Sequence, residues 1–199
     1  MSESGLLSVV SNMLAYVSFV LKKGSPFVWG PTRLKLTKPV IGAIEGLAVA
    51  GGMELALMCD LRVVAEDMKM GIFNRRLGFP MLDGGSTRLP FIVGLSRALD
   101  LILTGRPVDA NEALSIGLAN RVVPKGKAVE EATKLAKMIA GFPGEALKAD
   151  RKSAYYSMFN ADSFCDALTY EYRKGVRLTT IKADFEGAKG SYEDYHAKY

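Results

Sequence analysis

The tetrapeptide Gly51-Gly52-Met53-Glu54 brings two kinds of chemistry together. Consecutive glycines let backbone N–H groups approach a ligand with no Cβ in the way. The carboxylate that follows can take or give a proton. Val40, Ile41 and Ile44 upstream favour extended structure, and Pro39 biases Lys38 away from helix. Gly46 permits a turn with unusual dihedrals, after which Leu47-Ala48-Val49-Ala50 crosses the interior. Met53 to Met58 are good helix formers with apolar residues on every side, which predicts a buried helix. This layout points N–H groups, the positive end of a helix dipole and a carboxylate into one small volume. Such a volume suits chemistry in which a carbonyl oxygen gains negative charge. Glu54 is the anomaly of its helix, because a carboxylate among apolar residues needs a partner, a helix terminus or a function. An isolated acid at a helix start is ordinarily a partner of the dipole; the double glycine and the buried character of the helix narrow the odds between that role and a function.

The elements that must position these groups follow along the chain. Leu61 to Ala65 reads as a strand, followed by short irregular structure to Asp83. Leu95 to Thr104 reads as a helix that Gly105 ends. Asp109-Ala110-Asn111-Glu112 is a capping box that opens a second short helix, and Asn120 to Val123 is a strand stopped by Pro124. Val129, Ala132, Leu135, Ala136 and Ile139 form a helical stripe, broken by Gly141-Phe142-Pro143-Gly144. Ala146 to Met158 and Ala161 to about Arg177 predict two more helices, and the tail from Thr179 is polar and lysine-rich around Phe185. No internal repeat, low-complexity linker or second domain is legible.

The segment Lys38–Asp60 resembles the crotonase (enoyl-CoA hydratase/isomerase) superfamily. The resemblance continues through Asp60-Leu61-Arg62-Val63-Val64-Ala65, Leu77-Gly78-Phe79-Pro80, Asp83-Gly84-Gly85-Ser86-Thr87-Arg88-Leu89-Pro90 and Gly94-Leu95-Ser96-Arg97-Ala98. It ends in Leu103-Thr104-Gly105-Arg106 and Ala113–Pro124. The match is strong from about Gly30 to about Ala140 and weaker beyond. It implies an α/β, crotonase-like fold, a ββα spiral core to about residue 140 followed by a C-terminal helical region. It implies acyl-CoA thioesters as substrates, with the coenzyme arriving as part of the substrate and no separate cofactor or metal. It places an oxyanion-stabilising N–H at Gly51 and an acid/base carboxylate at Glu54, with Ala50, Gly52, Asn74 and Phe79 as substrate-binding positions. It also implies a homo-oligomer of trimer type, built by the C-terminal helices.

Two departures from the family pattern shape the expectations. Many hydratases carry a second glutamate where this chain has Asn74, and asparagine can orient water but cannot take its proton at neutral pH. Asp83 is the nearest carboxylate able to substitute as a catalytic group, and its alternative role is to cap the helix opening near Ser86. The family also places several strands, bearing the other oxyanion donor and much of the CoA surface, before the part matched here. Residues 1–29 match none of them, so residues 30–199 read as an N-terminally truncated crotonase-like domain. Losing one donor typically costs about 10²–10³-fold in rate. Enoyl-CoA hydration is the default reaction, with isomerisation, decarboxylation and thioester hydrolysis open. The alternative is a non-catalytic homologue that acts as an interaction subunit, since absent strands leave sheet edges to pair.

Composition narrows the field. The chain has 199 residues, 49% of them hydrophobic and 24% charged, which suits one globular core. The net charge of +5 comes from scattered Lys and Arg, so nucleic-acid binding is not indicated, although a positive balance favours CoA phosphates. Cys59 and Cys165 give neither a disulfide framework nor metal spacing. The one histidine, His196, argues against a Ser-His-Asp mechanism or a histidine metal site. Leu6 to Leu21 is apolar but interrupted by Ser8, Ser11, Asn12 and Ser18, and falls short of the about 20 residues of a membrane span. A helix patching the core, or a stretch with no evolved role, is the expectation there. The sequence leaves the compartment open, with cytoplasm or mitochondrion the expectation: Lys198-Tyr199 is no peroxisomal signal, and the first residues lack the arginine-rich look of a transit peptide.

Overall fold

The computed structural model describes residues 7–10, 32, 34 and 36–179. The chain divides into two compact units, Met1–Gly141 and Phe142–Tyr199. In the first, β1 (Leu7–Val10), β2 (Val40–Ile44), β4 (Leu61–Ala65) and β7 (Arg121–Val123) form a parallel sheet in the order β1-β2-β4-β7. A second sheet, in the order β3-β5-β6, comprises β3 (Leu47–Val49), β5 (Lys69–Gly71) and β6 (Val108–Asp109). β3 and β5 run parallel, β5 and β6 antiparallel. The helices of this unit are α1 (Gly51–Met58), α2 (Gly85–Val93), α3 (Leu95–Thr104), α4 (Ala110–Ser115) and α5 (Ala128–Ala140). A 3₁₀ turn covers Phe73–Leu77.

The parallel sheet is clad on both faces, which explains why β2 and β4 are nearly continuous apolar runs. Side chains alternate along a strand. Ile41, Ala43 and Val63 cluster with Ala128, Ala132, Leu135 and Ala136 of α5. Ile44 and Val64 cluster with Met53 and Leu57 of α1, together with Met68, Met70, Ile72, Leu89 and Leu101. The stripe from Ala132 to Ile139 is therefore the face that covers the sheet, but its first member is Ala128 and not Val129, which is exposed. Glu45 fixes the start of that helix by accepting from Gly126 N (3.0 Å) and Ala128 N (2.9 Å), an anion at a helix N-terminus.

The last turn of α1 sits directly on β2, and a Cβ at Gly42 would lie 3.2 Å from Cys59 Sγ. The buried Arg62 closes this end. It donates from Nη1 to Cys59 O (2.5 Å) and from Nε to Leu118 O (2.6 Å). A cation bonded to carbonyls at a helix C-terminus complements the dipole.

The second unit contains α6 (Gly144–Phe159) and α7 (Phe164–Thr179). The rings of Tyr156 and Tyr170 stack at 3.8 Å between centroids, and Tyr156 Oη donates to Asp166 Oδ2 at 2.8 Å. The carboxylate beside it raises the Tyr156 phenol above its usual range.

Several expectations need correction. Leu7–Val10 is a strand paired with β2, not a helix. Without β1 that edge of β2 would present unpaired N–H and C=O groups, and Val9-Val10 suits extended backbone. The stretch read as irregular before Asp83 contains β5 and the 3₁₀ turn. Strands of two or three residues carry too little periodicity to be seen. The capping box is half formed: Asp109 Oδ1 accepts from Glu112 N at 2.9 Å, while the Glu112 carboxylate pairs instead with Arg106. Most of Leu6–Leu21, the tail after Thr179 and His196 lie outside the described residues. Among the described residues, no helix is long and apolar enough to cross a membrane.

Burial pushes the Cys59 thiol from 9.0 up to about 11. The unfolded thiol ionises first as pH rises, so burial of the neutral thiol favours folding below pH 9 and this contribution is lost toward pH 11. Urea unfolding should show the parent losing about 2 kcal/mol more than Cys59→Ala over that interval. Parallel curves for the two proteins would contradict this.

Candidate active site

The site is built where two glycine-opened helices meet. Ala50 joins β3 to α1 with φ 52° and ψ −125°, the one non-glycine with positive φ among the described residues. Such a conformation costs on the order of 1–3 kcal/mol and persists only where the surroundings impose it. Here they do. Ala50 N donates to Gly71 O (2.9 Å), and Ala50 O accepts from Met53 N (3.0 Å) and Glu54 N (3.1 Å). The N–H groups of Gly51 and Gly52 precede the first intrahelical bonds, so the helix offers them no acceptor. The strained turn thus presents two backbone donors at the positive end of α1.

Glu54 lies one turn into α1 and is 1% exposed, within a helix whose residues from Gly52 to Met58 are all buried. Its Oε1 accepts from Asp83 N at 2.8 Å and from Gly85 N at 3.0 Å. Both donors belong to the start of α2, whose N-cap is Gly84. The carboxylate therefore rests on the positive end of the next helix as well as lying near the start of its own. Gly85 allows this approach: a Cβ there would stand 2.9 Å from Glu54 Cγ, 3.0 Å from Oε1 and 2.5 Å from Met81 Sδ.

Asp83 is 2% exposed, and its Oδ1 accepts from Thr32 Oγ1 at 3.1 Å. It does not cap α2, because Gly84 occupies the cap in the left-handed region (φ 89°) with no side-chain bond to the helix. Arg88 reaches back from α2, donating from Nη1 to Asp83 O (2.8 Å) and from Nη2 to Thr32 O (2.6 Å).

The structure thus brings Glu54, Asp83 and the α1 start, with Ala50, Gly51 and Gly52, into one region. Asn74 sits in the 3₁₀ turn, half-buried; its Nδ2 donates to Pro80 O at 3.5 Å and its backbone O accepts from Phe79 N at 3.1 Å. Phe79 is exposed, whereas Ile72 is core. Thr32, Gly85 and Arg88 were not singled out as site residues. The second Gly-Gly pair opening a helix was the available signal for Gly85; nothing local marks Thr32 or Arg88.

The family model for enoyl-CoA hydratase/isomerase matches residues 32–176, and the chain belongs to that family. Its fold is the crotonase fold, α/β with a helical C-terminal region. The "Probable enoyl-CoA hydratase" of Rhizobium meliloti (strain 1021) is 48% identical over 150 residues, covering 75% of this chain and 58% of that protein. The crystal structure of enoyl-CoA hydratase from Mycobacterium tuberculosis H37Rv superposes with a TM-score of 0.78 at 33% identity, over 86% of this chain and 67% of that one. A Thermobifida fusca YX protein solved in complex with CoA gives a TM-score of 0.67 at 27% identity, over 73% of this chain and 56% of that one. The chain thus spans little more than half the length of its Rhizobium relative.

Gly85→Ala should force the Glu54 carboxylate off its two donors and lower stability by about 1–3 kcal/mol in urea unfolding. Wild-type stability in that variant would show that the loop yields freely.

Proposed function

We propose that the protein is an enoyl-CoA hydratase-type enzyme that adds water to an α,β-unsaturated acyl-CoA thioester. The observation that carries the reading is the buried Glu54 carboxylate, held at Oε1 by two backbone N–H groups beside a strained turn that presents two more. The family and the CoA complex of a structural neighbour support the substrate class.

In this reading the thioester carbonyl oxygen lies against Gly51 N–H, with Ala50 and Gly52 lining its approach. Oε1 of Glu54 holds the loop bonds, so proton transfer falls to Oε2. Glu54 takes a proton from water as the water oxygen bonds C3. The C2=C3 electron pair moves into the thioester, and the resulting oxyanion is held by Gly51 N–H and the α1 dipole. Glu54 then returns its proton to C2, so one water has been added and the carboxylate is restored. Asn74 orients the water without accepting its proton, since an amide is no base at neutral pH. Phe79 flanks the acyl group. The coenzyme enters and leaves as part of the substrate.

The proposal includes self-association as a homo-oligomer of trimer type. The stripe Leu95, Leu99 and Leu103 on α3 supports it, these residues being 63%, 41% and 69% exposed at successive turns. Sedimentation of the purified protein should give a species larger than 21.6 kDa.

Purified protein should hydrate crotonyl-CoA, read as loss of enoyl absorbance. Glu54→Gln should abolish turnover while leaving the melting temperature within a few degrees. Gly51→Pro, which removes the N–H, should cost at least about 10²-fold. A Gln variant that keeps full turnover would falsify the acid/base role; a folded parent with no turnover would favour a non-catalytic subunit.

A further inference from the structure

Two of the buried polar groups of the site region take no part in the chemistry above. Thr32 is 2% exposed and Asp83 likewise, and Asp83 reaches Glu54 through its backbone N–H. Around them the bonds close into a ring: Thr32 Oγ1 to Asp83 Oδ1 (3.1 Å), Arg88 Nη1 to Asp83 O (2.8 Å) and Arg88 Nη2 to Thr32 O (2.6 Å). The ring straddles Gly84, where a Cβ would lie 2.4 Å from Arg88 Nη1, so the guanidinium packs directly against the loop backbone. Gly84 at φ 89° is a position where the chain is least constrained by its own sterics. Something must therefore fix the loop if both amides are to reach Oε1. The ring acts on both sides of Gly84: Asp83 is gripped through its side chain and carbonyl, and the first turn of α2 through Arg88.

We infer that Thr32, Asp83 and Arg88 form a positioning clasp that fixes the N–H groups of Asp83 and Gly85 under the Glu54 carboxylate, so that Asp83 serves the reaction through Glu54 rather than as a second acid or base. The role in turnover rests on the hydratase reading; the grip on the amides does not. The clasp also ties a residue distant in sequence, at position 32, to the loop that holds the acid/base.

The test compares Thr32→Val, which removes the hydroxyl at constant shape, with Thr32→Ser, which keeps it, and with Arg88→Lys, which cannot span both carbonyls. Crotonyl-CoA hydration and backbone amide exchange are measured on each. Thr32→Val should lower kcat about 10–100-fold with KM within about twofold, because misplaced groups cost rate rather than ground-state binding. The Asp83 and Gly85 amides should exchange faster in the same variant. Serine should restore both readouts, and Arg88→Lys should move both as valine does. Parental kcat and parental amide exchange in Thr32→Val would overturn the clasp. So would loss of kcat with those amides unchanged, since the effect would then not run through the loop. If the parent itself shows no turnover, the hydratase reading fails and amide exchange alone decides the clasp, faster exchange supporting it and unchanged exchange overturning it.

Discussion

One interaction organises this molecule: a carboxylate buried in an apolar helix and held by two backbone N–H groups of the next helix. Burying a lone carboxylate costs several kcal/mol, and hydrogen bonds to a charged group return about 1.5–3 kcal/mol each. The bonds from Asp83 and Gly85 to Glu54 Oε1 therefore decide whether α1 can lie where it does. Every nearby feature follows from keeping them short. Gly85 must lack a Cβ, Gly84 must turn left-handed, and the residues around Asp83 must hold still.

The same logic runs through the rest of α1. Its start depends on Ala50 in a conformation that L-residues avoid, tied to β5 through Gly71 O. Its end depends on Arg62, which sends its donors into the carbonyls of Cys59 and Leu118. One eight-residue helix is thus fixed at both ends and at its one charged side chain. That rigidity suits the oxyanion site proposed above, because donors aimed in advance need no reorganisation as charge develops.

Much of this was legible in the sequence, and the reason is local. Gly51-Gly52 before an apolar helix with one acid is a pattern of neighbours, so Glu54 and its helix could be read directly. Leu95–Thr104 ending at Gly105, and the stripe from Ala132 to Ile139, are likewise periodic and punctuated. What escaped depended on contacts distant in sequence. Glu54 finds its donors 29 and 31 residues away, and Asp83 finds Thr32 at a separation of 51. Asp83 looked like a helix cap because it precedes a helix, but Gly84 already fills that place. The strands Lys69–Gly71 and Val108–Asp109 are too short to leave a period of their own.

The central claim is that Glu54 and the α1 N–H groups share one reacting carbon skeleton. The most direct measurement is exchange of the α-protons of butyryl-CoA with deuterium oxide, followed by NMR. This substrate cannot be hydrated, so exchange reports only proton removal by a base at C2 with the enolate oxygen stabilised. The account predicts that the parent protein catalyses exchange and that Glu54→Gln does not. Exchange at the parental rate in Glu54→Gln, or none in the folded parent, would contradict it.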